Sequence, residues 1–199
     1  SNLLTNEFEK GYSGQSKYGP YFHGEAWGKS GTVSQTLTVK HPGWYLLTCS
    51  GFYRRSAGSD MTAYLFAQDD KKQSLERAKQ RTPLYVLSDA NLTKFTSADG
   101  DSYLQAGQAL TAGKYARNSV MIYVYGNGQP DFSTQLTIGI KIEGANVKPS
   151  DWVSFDNFML QYCGINTIVL DEDETAPAYM QKQIDPNLST TLQMQRSFI

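Results

Sequence analysis

The chain has 199 residues, 40% of them hydrophobic, which is enough for one full core and too few for two comfortable domains. Its 18 basic and 19 acidic residues leave a net charge of -1, which removes the counterion-release force behind nucleic-acid and anionic-membrane binding. No apolar run, Val120 to Tyr125 being among the longest, approaches the roughly 20 residues a helix needs to cross a bilayer, so no membrane insertion by this chain is expected.

No signal peptide opens the chain, whose Leu3-Leu4 reads as a strand directly after Ser1 and Asn2; any targeting segment is expected outside these residues. Further on, Val33, Gln35, Leu37 and Val39 alternate with Ser34, Thr36 and Thr38, the period of a half-buried strand. His41-Pro42-Gly43 predicts a turn, and Trp44 to Tyr53 a strand with Tyr45, Leu47 and Cys49 on one face, so the two strands are expected to form a hairpin. Met61 to Ala67 alternates again and ends at the polar run Gln68 to Gln73. Short strands recurring roughly every 8 to 12 residues are the signature of a sandwich.

Leu84 to Leu87 predicts one more short strand, and Ser88 to Asp101 a loop. Tyr103, Leu104, Ala106, Ala109 and Leu110 fall near helical spacing, and Gly113 stands where a helix would stop, so one short helix is expected over 102–112. Two long strands follow, Ser119 to Tyr125 and Gln135 to Ile142, with a turn beginning at Gly126-Asn127-Gly128. Trp152 to Tyr162 closes the core. After Gly164 the apolar Ile165 to Leu170 gives way to Asp171-Glu172-Asp173-Glu174, which reads as a solvated linker because no Gly is present to turn the chain around a cation. The expected division is a sandwich over 1–164 and a tail over 165–199, the start of a truncated following domain, with extended strands in the tail.

The chemistry-bearing residues exclude more than they suggest. Gly24-Glu25-Ala26-Trp27-Gly28-Lys29-Ser30 has three residues between its glycines where a phosphate loop needs four, and an alternating strand follows instead of a helix. His23 and His41 stand without a nucleophile elbow or metal-ligand spacing, and Cys49 and Cys163 read as small buried hydrophobes. Carboxylates at Glu7, Glu9, Glu25, Asp151 and Asp156 are available for glycosidase chemistry, but a small sandwich offers no deep cleft to bring two together. No catalytic residue is expected, and the chain is read as no enzyme.

Asn2-Leu3-Leu4-Thr5-Asn6-Glu7-Phe8-Glu9, Gln35-Thr36-Leu37 before Pro42-Gly43-Trp44-Tyr45, and Trp152-Val153-Ser154-Phe155-Asp156-Asn157-Phe158 resemble the galactose-binding-like jelly roll of many carbohydrate-binding modules. Gly51-Phe52-Tyr53-Arg54, Ala106-x-x-Ala109 through Gly113-x-Tyr115-x-x-Asn118, Leu136 to Lys141 and Asp151-Trp152 resemble such modules in large surface and secreted proteins of gut-dwelling Gram-negative anaerobes. The resemblance spans residues 2–164 and implies an all-β jelly-roll β-sandwich that is secreted or displayed on the cell surface, at the extracellular face of the outer membrane. It implies a non-catalytic module for a poly- or oligosaccharide; the alternative is an adhesion or structural module whose partner is a surface protein or a neighbouring domain. It also implies a structural calcium ion held by Glu9 and Asp156, against the alternative that Asp156 hydrogen-bonds the neighbouring strand.

A sugar's C–H face asks for an exposed aromatic face, and its hydroxyls for Arg, Asn or Asp. The candidate carbohydrate-binding set is therefore Trp27, Tyr53, Arg54, Tyr115, Asn118 and Trp152. Trp27, beside Gly24 and Gly28, reads as a solvent-facing loop aromatic. Trp152 at the head of a strand also reads as a core plug, Tyr53 shares the parity of Tyr45 and Leu47, and Arg54 has an ion pair with Asp151 as its alternative role.

Overall fold

The computed structural model describes residues 18–73, 75–87, 102–165 and 191–193. Among them, two antiparallel sheets pack face to face with one α-helix on the outside. In chain order the strands are β1 (Gly24–Trp27), β2 (Gly31–Val39), β3 (Gly43–Arg54), β4 (Thr62–Asp69), β5 (Lys79–Pro83), β6 (Tyr85–Val86), β7 (Asn118–Val124), β8 (Thr134–Glu143), β9 (Trp152–Tyr162) and β10 (Thr191–Gln193). Helix α1 spans Ser102–Thr111, ending two residues before Gly113. Short 3-10 turns cover Asp70–Lys72 and Glu76–Ala78.

The first sheet runs β1–β9–β3–β7 and the second β2–β8–β4–β5. Among the described strands the chain changes sheet at six of nine successive connections, and the interleaved orders of the two sheets make the sandwich a jelly roll. The hairpin expected around His41-Pro42-Gly43 is therefore not formed: β2 pairs with β8 in one sheet, while β3 pairs with β7 and β9 in the other. The same holds for β7 and β8, whose connection also crosses between the sheets. Alternation identifies a strand but carries no information about its partner. Two strands escaped the sequence reading: β1, taken for a loop because of its glycines, and β5, which is polar and mostly exposed.

Inward residues of the two sheets build the main core, with Leu47, Ile122, Val153 and Phe155 facing Val33, Leu65, Leu136, Ile138 and Ile140. A smaller core lies on the outer face of the first sheet, where α1 sets Ala106, Ala109 and Leu110 against Phe52, Leu87 and Trp152. Gly107 lets the segment before β1 lie close against α1, because a Cβ there would strike the Tyr21 carbonyl oxygen and come 2.9 Å from the Tyr21 Cβ. Cys49 and Cys163 are buried and unbridged, as a small-hydrophobe reading requires.

One irregularity sets which side chains face which core. Between Thr48↔Met159 and Ser50↔Asp156, β3 advances two residues while β9 advances three, so β9 carries a bulge. Asn157 lies there in the left-handed region at φ 56°. Val153 and Phe155 point inward before the bulge, and Phe158, Leu160 and Tyr162 point inward after it, although their parities differ. The Asn157 side chain ties the bulge down by donating to Ser50 Oγ at 3.3 Å and to the Leu110 carbonyl at 3.5 Å.

Beyond Ile165 the described residues resume at Thr191–Gln193, which pair antiparallel with Gln161, Leu160 and Met159. Among the described residues no helix is long and apolar enough to cross a membrane.

Candidate functional site

The register of the first sheet brings Trp27, Trp152 and Arg54 into one row across three strands. Trp27, the last residue of β1, stands opposite Trp152, the first of β9, and Trp152 stands opposite Arg54, the last of β3. Parity puts all three on the outer face, since Ala26, Val153 and Tyr53 beside them belong to the inter-sheet core. The two indoles stack at 5.0 Å between centroids with 15° between planes. Arg54 Cζ lies 5.4 Å from each ring centroid, within cation–π range of both.

These neighbours have opposite exposures. Trp152 is fully buried beneath α1 and donates its indole N–H to Glu25 Oε2 at 3.0 Å, whereas Trp27 is 39% exposed. Trp152 thus holds the Trp27 ring flat, and Arg54 holds a cation beside it. Gly28 makes the turn that ends β1 just after Trp27: it sits at φ 61°, and a Cβ there would come 2.7 Å from Pro149 Cα and from its carbonyl oxygen. Its N–H donates to the Asp151 carbonyl at 2.9 Å.

The ion pair weighed between Arg54 and Asp151 is not made. Arg54 Nη2 donates to the Ser150 carbonyl at 2.9 Å, while the Asp151 carboxylate accepts from Ser56 N at 2.6 Å, from Lys148 N at 2.7 Å and from the Ser59 hydroxyl. Burial works to raise the Asp151 pKa, but these donors hold it below the usual carboxylate value. Asp60 accepts in the same way from the N–H groups of Ala145 and Asn146. Two aspartates therefore clamp the β3–β4 loop to the β8–β9 loop and fix the ends of the strands that carry Arg54 and Trp152.

The other three candidates are placed elsewhere. Tyr53 lies in the inter-sheet core at 2% exposure, its hydroxyl accepting from Arg55 Nη2 at 3.1 Å. Asn118 is buried, and its amide is a structural rivet: Nδ2 donates to the carbonyls of Cys49, Gly51 and Tyr115 at 3.0 to 3.1 Å, and Oδ1 accepts from Tyr85 N at 2.9 Å. It joins β3, β6, β7 and the turn at Tyr115 where β7 gives way to β6 along β3. Tyr115 adopts φ 57° and packs against Phe52 and the 45%-exposed Tyr85, with ring centroids 5.2 and 4.9 Å away. Rings in succession from Trp27 through Trp152, Phe52 and Tyr115 to Tyr85 thus run across this end of the sheet, exposed at both ends and buried in the middle.

No protein-family model matches the chain, and no curated protein or solved structure matches it.

Of the two expected calcium ligands, Glu9 lies outside the described residues. Asp156 sits on β9 opposite Ser50, and burial pushes its pKa up to about 6 against the opposing hydrogen bond from the Asn157 N–H. Among the described residues no three of His, Cys, Asp and Glu gather as a metal would require. Asp156 on its own offers a small part of the six to eight oxygens that calcium takes.

Sequence reasoning weighed Glu25 only as a carboxylate for glycosidase chemistry and missed its place behind Trp152, where it is buried; a carboxylate two residues before an aromatic on one strand was the available signal. It also missed a second outer-face group beyond the reach of α1. There Trp44 pairs with Tyr123 and Leu46 with Met121, and Met159, opposite Thr48, is 37% exposed. These residues share the parity opposite to Tyr45, Leu47 and Cys49, so strict alternation already marked them as facing away from the inter-sheet core.

Proposed function

We propose that this domain is a non-catalytic glycan-binding module of a larger secreted or cell-surface protein, with Trp27 as its sugar platform. The observation that carries the reading is the Trp27–Trp152 stack with Arg54 beside it. A pyranose presents a C–H face that stacks on an aromatic ring, and a ring already held flat loses little conformational freedom on binding. Trp27 has such a backing, a partly exposed surface and a neighbouring guanidinium. The resemblance of residues 2–164 to galactose-binding-like modules supports the same ligand class, and the extracellular face of the outer membrane as the setting. A calcium ion at Asp156 and Glu9 belongs to this reading as a stabiliser distant from the sugar.

The test is a glycan array and affinity electrophoresis of the purified domain, with calcium and with chelator. Binding that disappears in Trp27→Ala, with the melting transition retained, supports the reading. A clean negative under both conditions sinks it and favours a module that docks a protein or a neighbouring domain. That second reading has its own observation: the outer-face group of Trp44, Leu46, Met121, Tyr123 and Met159 is rich in the aromatic and methionine side chains that protein interfaces favour.

A further inference from the structure

A sheet edge presents a row of N–H and C=O groups that can pair with another strand, and natural edges are usually short, charged, interrupted by proline or covered. Among the described residues, three of the four sheet edges follow that rule. β1 is four residues long. β5 carries Lys79, Arg81 and Pro83. β7 closes against β5 and the Glu76–Ala78 turn.

The fourth edge does not. β2, Gly31–Val39, is nine residues long and contains no charged residue and no proline; among the described residues it pairs with β8 alone. Its inward row is Val33, Gln35, Leu37 and Val39, and its outward row Thr32, Ser34, Thr36 and Thr38. Within the inward row stands an unexplained group: Gln35 Oε1 is buried and has no hydrogen-bond partner. A buried amide oxygen without a donor is costly.

We infer that the β2 edge is a pairing surface for a second copy of this chain, joined antiparallel about a two-fold axis at Gln35, so that the second sheet continues across two molecules. The sequence is self-complementary about that centre. Thr32 meets Thr38 of the other copy, Val33 meets Leu37 and Ser34 meets Thr36, which are neutral, largely β-branched pairs suited to cross-strand contact. Gln35 meets its own copy on the axis, where each side-chain amide nitrogen can donate to the other's Oε1 and supply the missing partner. A closed two-fold contact of this kind is isologous and stops at the dimer. Lys29 and Lys40 stand just outside the paired stretch, at either end.

The test is sedimentation equilibrium of the full chain at near-physiological ionic strength, where directly opposed charges still interact, together with hydrogen exchange of the β2 amides. The wild type is expected to dimerise with concentration, its β2 amides becoming protected in step. In the Thr32→Lys, Thr38→Lys variant two like-charged pairs face each other, and the dissociation constant rises by about tenfold or more. In the Thr32→Glu, Thr38→Lys variant each Glu faces a Lys and dimerisation returns. A melting transition equal to that of the wild type, measured at a concentration low enough for every sample to be monomeric, shows that β2 itself is intact. A monomer at every concentration overturns the inference, and protected β2 amides in that monomer would show another part of the same chain on the edge. A dimer indifferent to the two lysines, or a charge-paired variant that stays monomeric, overturns it equally.

Discussion

The indole of Trp27 lies flat on that of Trp152, 5.0 Å between centroids, and the first ring is 39% exposed while the second is fully buried. Their substitutions should therefore separate binding from folding. Trp27→Ala is expected to remove glycan binding at a stability cost of about 1 to 2 kcal/mol, the scale of one ring stack and one cation–π contact. Trp152→Ala empties the small core under α1 and takes the Glu25 carboxylate's indole donor, for about 3 to 5 kcal/mol. Urea unfolding and affinity electrophoresis on the same samples check both; equal stability losses in the two variants would contradict the assigned roles.

Asp151 is fully buried and accepts from two backbone N–H groups and a hydroxyl. Asp151→Ala leaves the Ser56 and Lys148 N–H groups without their acceptor and should cost about 3 kcal/mol. Its folded pKa lies below its unfolded value, so its contribution is complete above about pH 4 and is lost as the pH falls through the folded pKa. The gap in urea midpoint between wild type and variant should accordingly narrow in strong acid.

Asn157 holds the β9 bulge at φ 56°, where a branched side chain is strained. Asn157→Gly should shift stability by less than about 1 kcal/mol, as relief of strain offsets the lost bond to Ser50 and a more flexible unfolded chain. Asn157→Val should cost about 2 kcal/mol or more. Thermal unfolding distinguishes them, and a Val variant as stable as wild type would mean that the bulge does not depend on this residue.

Two buried groups oppose each other in the acid range. His23 donates from Nδ1 to the Tyr21 carbonyl at 3.0 Å, which leaves Nε2 bare; it is buried without a partner, and burial lowers the His23 pKa to about 4. Between about pH 4 and 6.5 the unfolded chain binds the His23 proton more readily, so this group makes stability rise with pH, by on the order of 3 kcal/mol. Asp156, raised to about 6, works in the other direction: from about pH 4 to 6 the unfolded chain gives up its proton first, and stability falls as pH rises. The wild type should be nearly flat across this window. With chelator present, Asp156→Asn should become more stable as pH rises from 4 to 6.5 and His23→Phe less stable; parallel profiles for the two variants would refute the opposition.

Much of this arrangement was legible in residue order because it is local. Alternation in Val33 to Val39, Trp44 to Tyr53 and Gln135 to Ile142 marked strands that the structure contains, Trp152 to Tyr162 reads as the last core strand, and the spacing of Tyr103, Ala106 and Leu110 marked α1. The strand neighbours were not legible, since no period in β2 says whether β3 or β8 lies beside it, and the expected hairpin gave way to a crossing between sheets. Among the candidate site residues, the row of Trp27, Arg54 and Trp152 depends on the register of three strands distant in sequence. Asn118 and Tyr53 carry side chains suited to a sugar, yet the fold places one against four backbone groups and the other between the sheets.

By itself, then, the sequence determined an all-β sandwich with one helix, because backbone period and apolar alternation are properties of neighbouring residues. The glycines beside Trp27 already marked it as solvent-facing, and the place of Trp152 at the head of a strand allowed a core plug as well as a site residue. Only the tertiary structure decided that the two rings are neighbours on one outer face and which element buries the second. The difference is made by α1, some 40 or more residues away from Trp152 along the chain, whose apolar face covers one indole and stops short of the other.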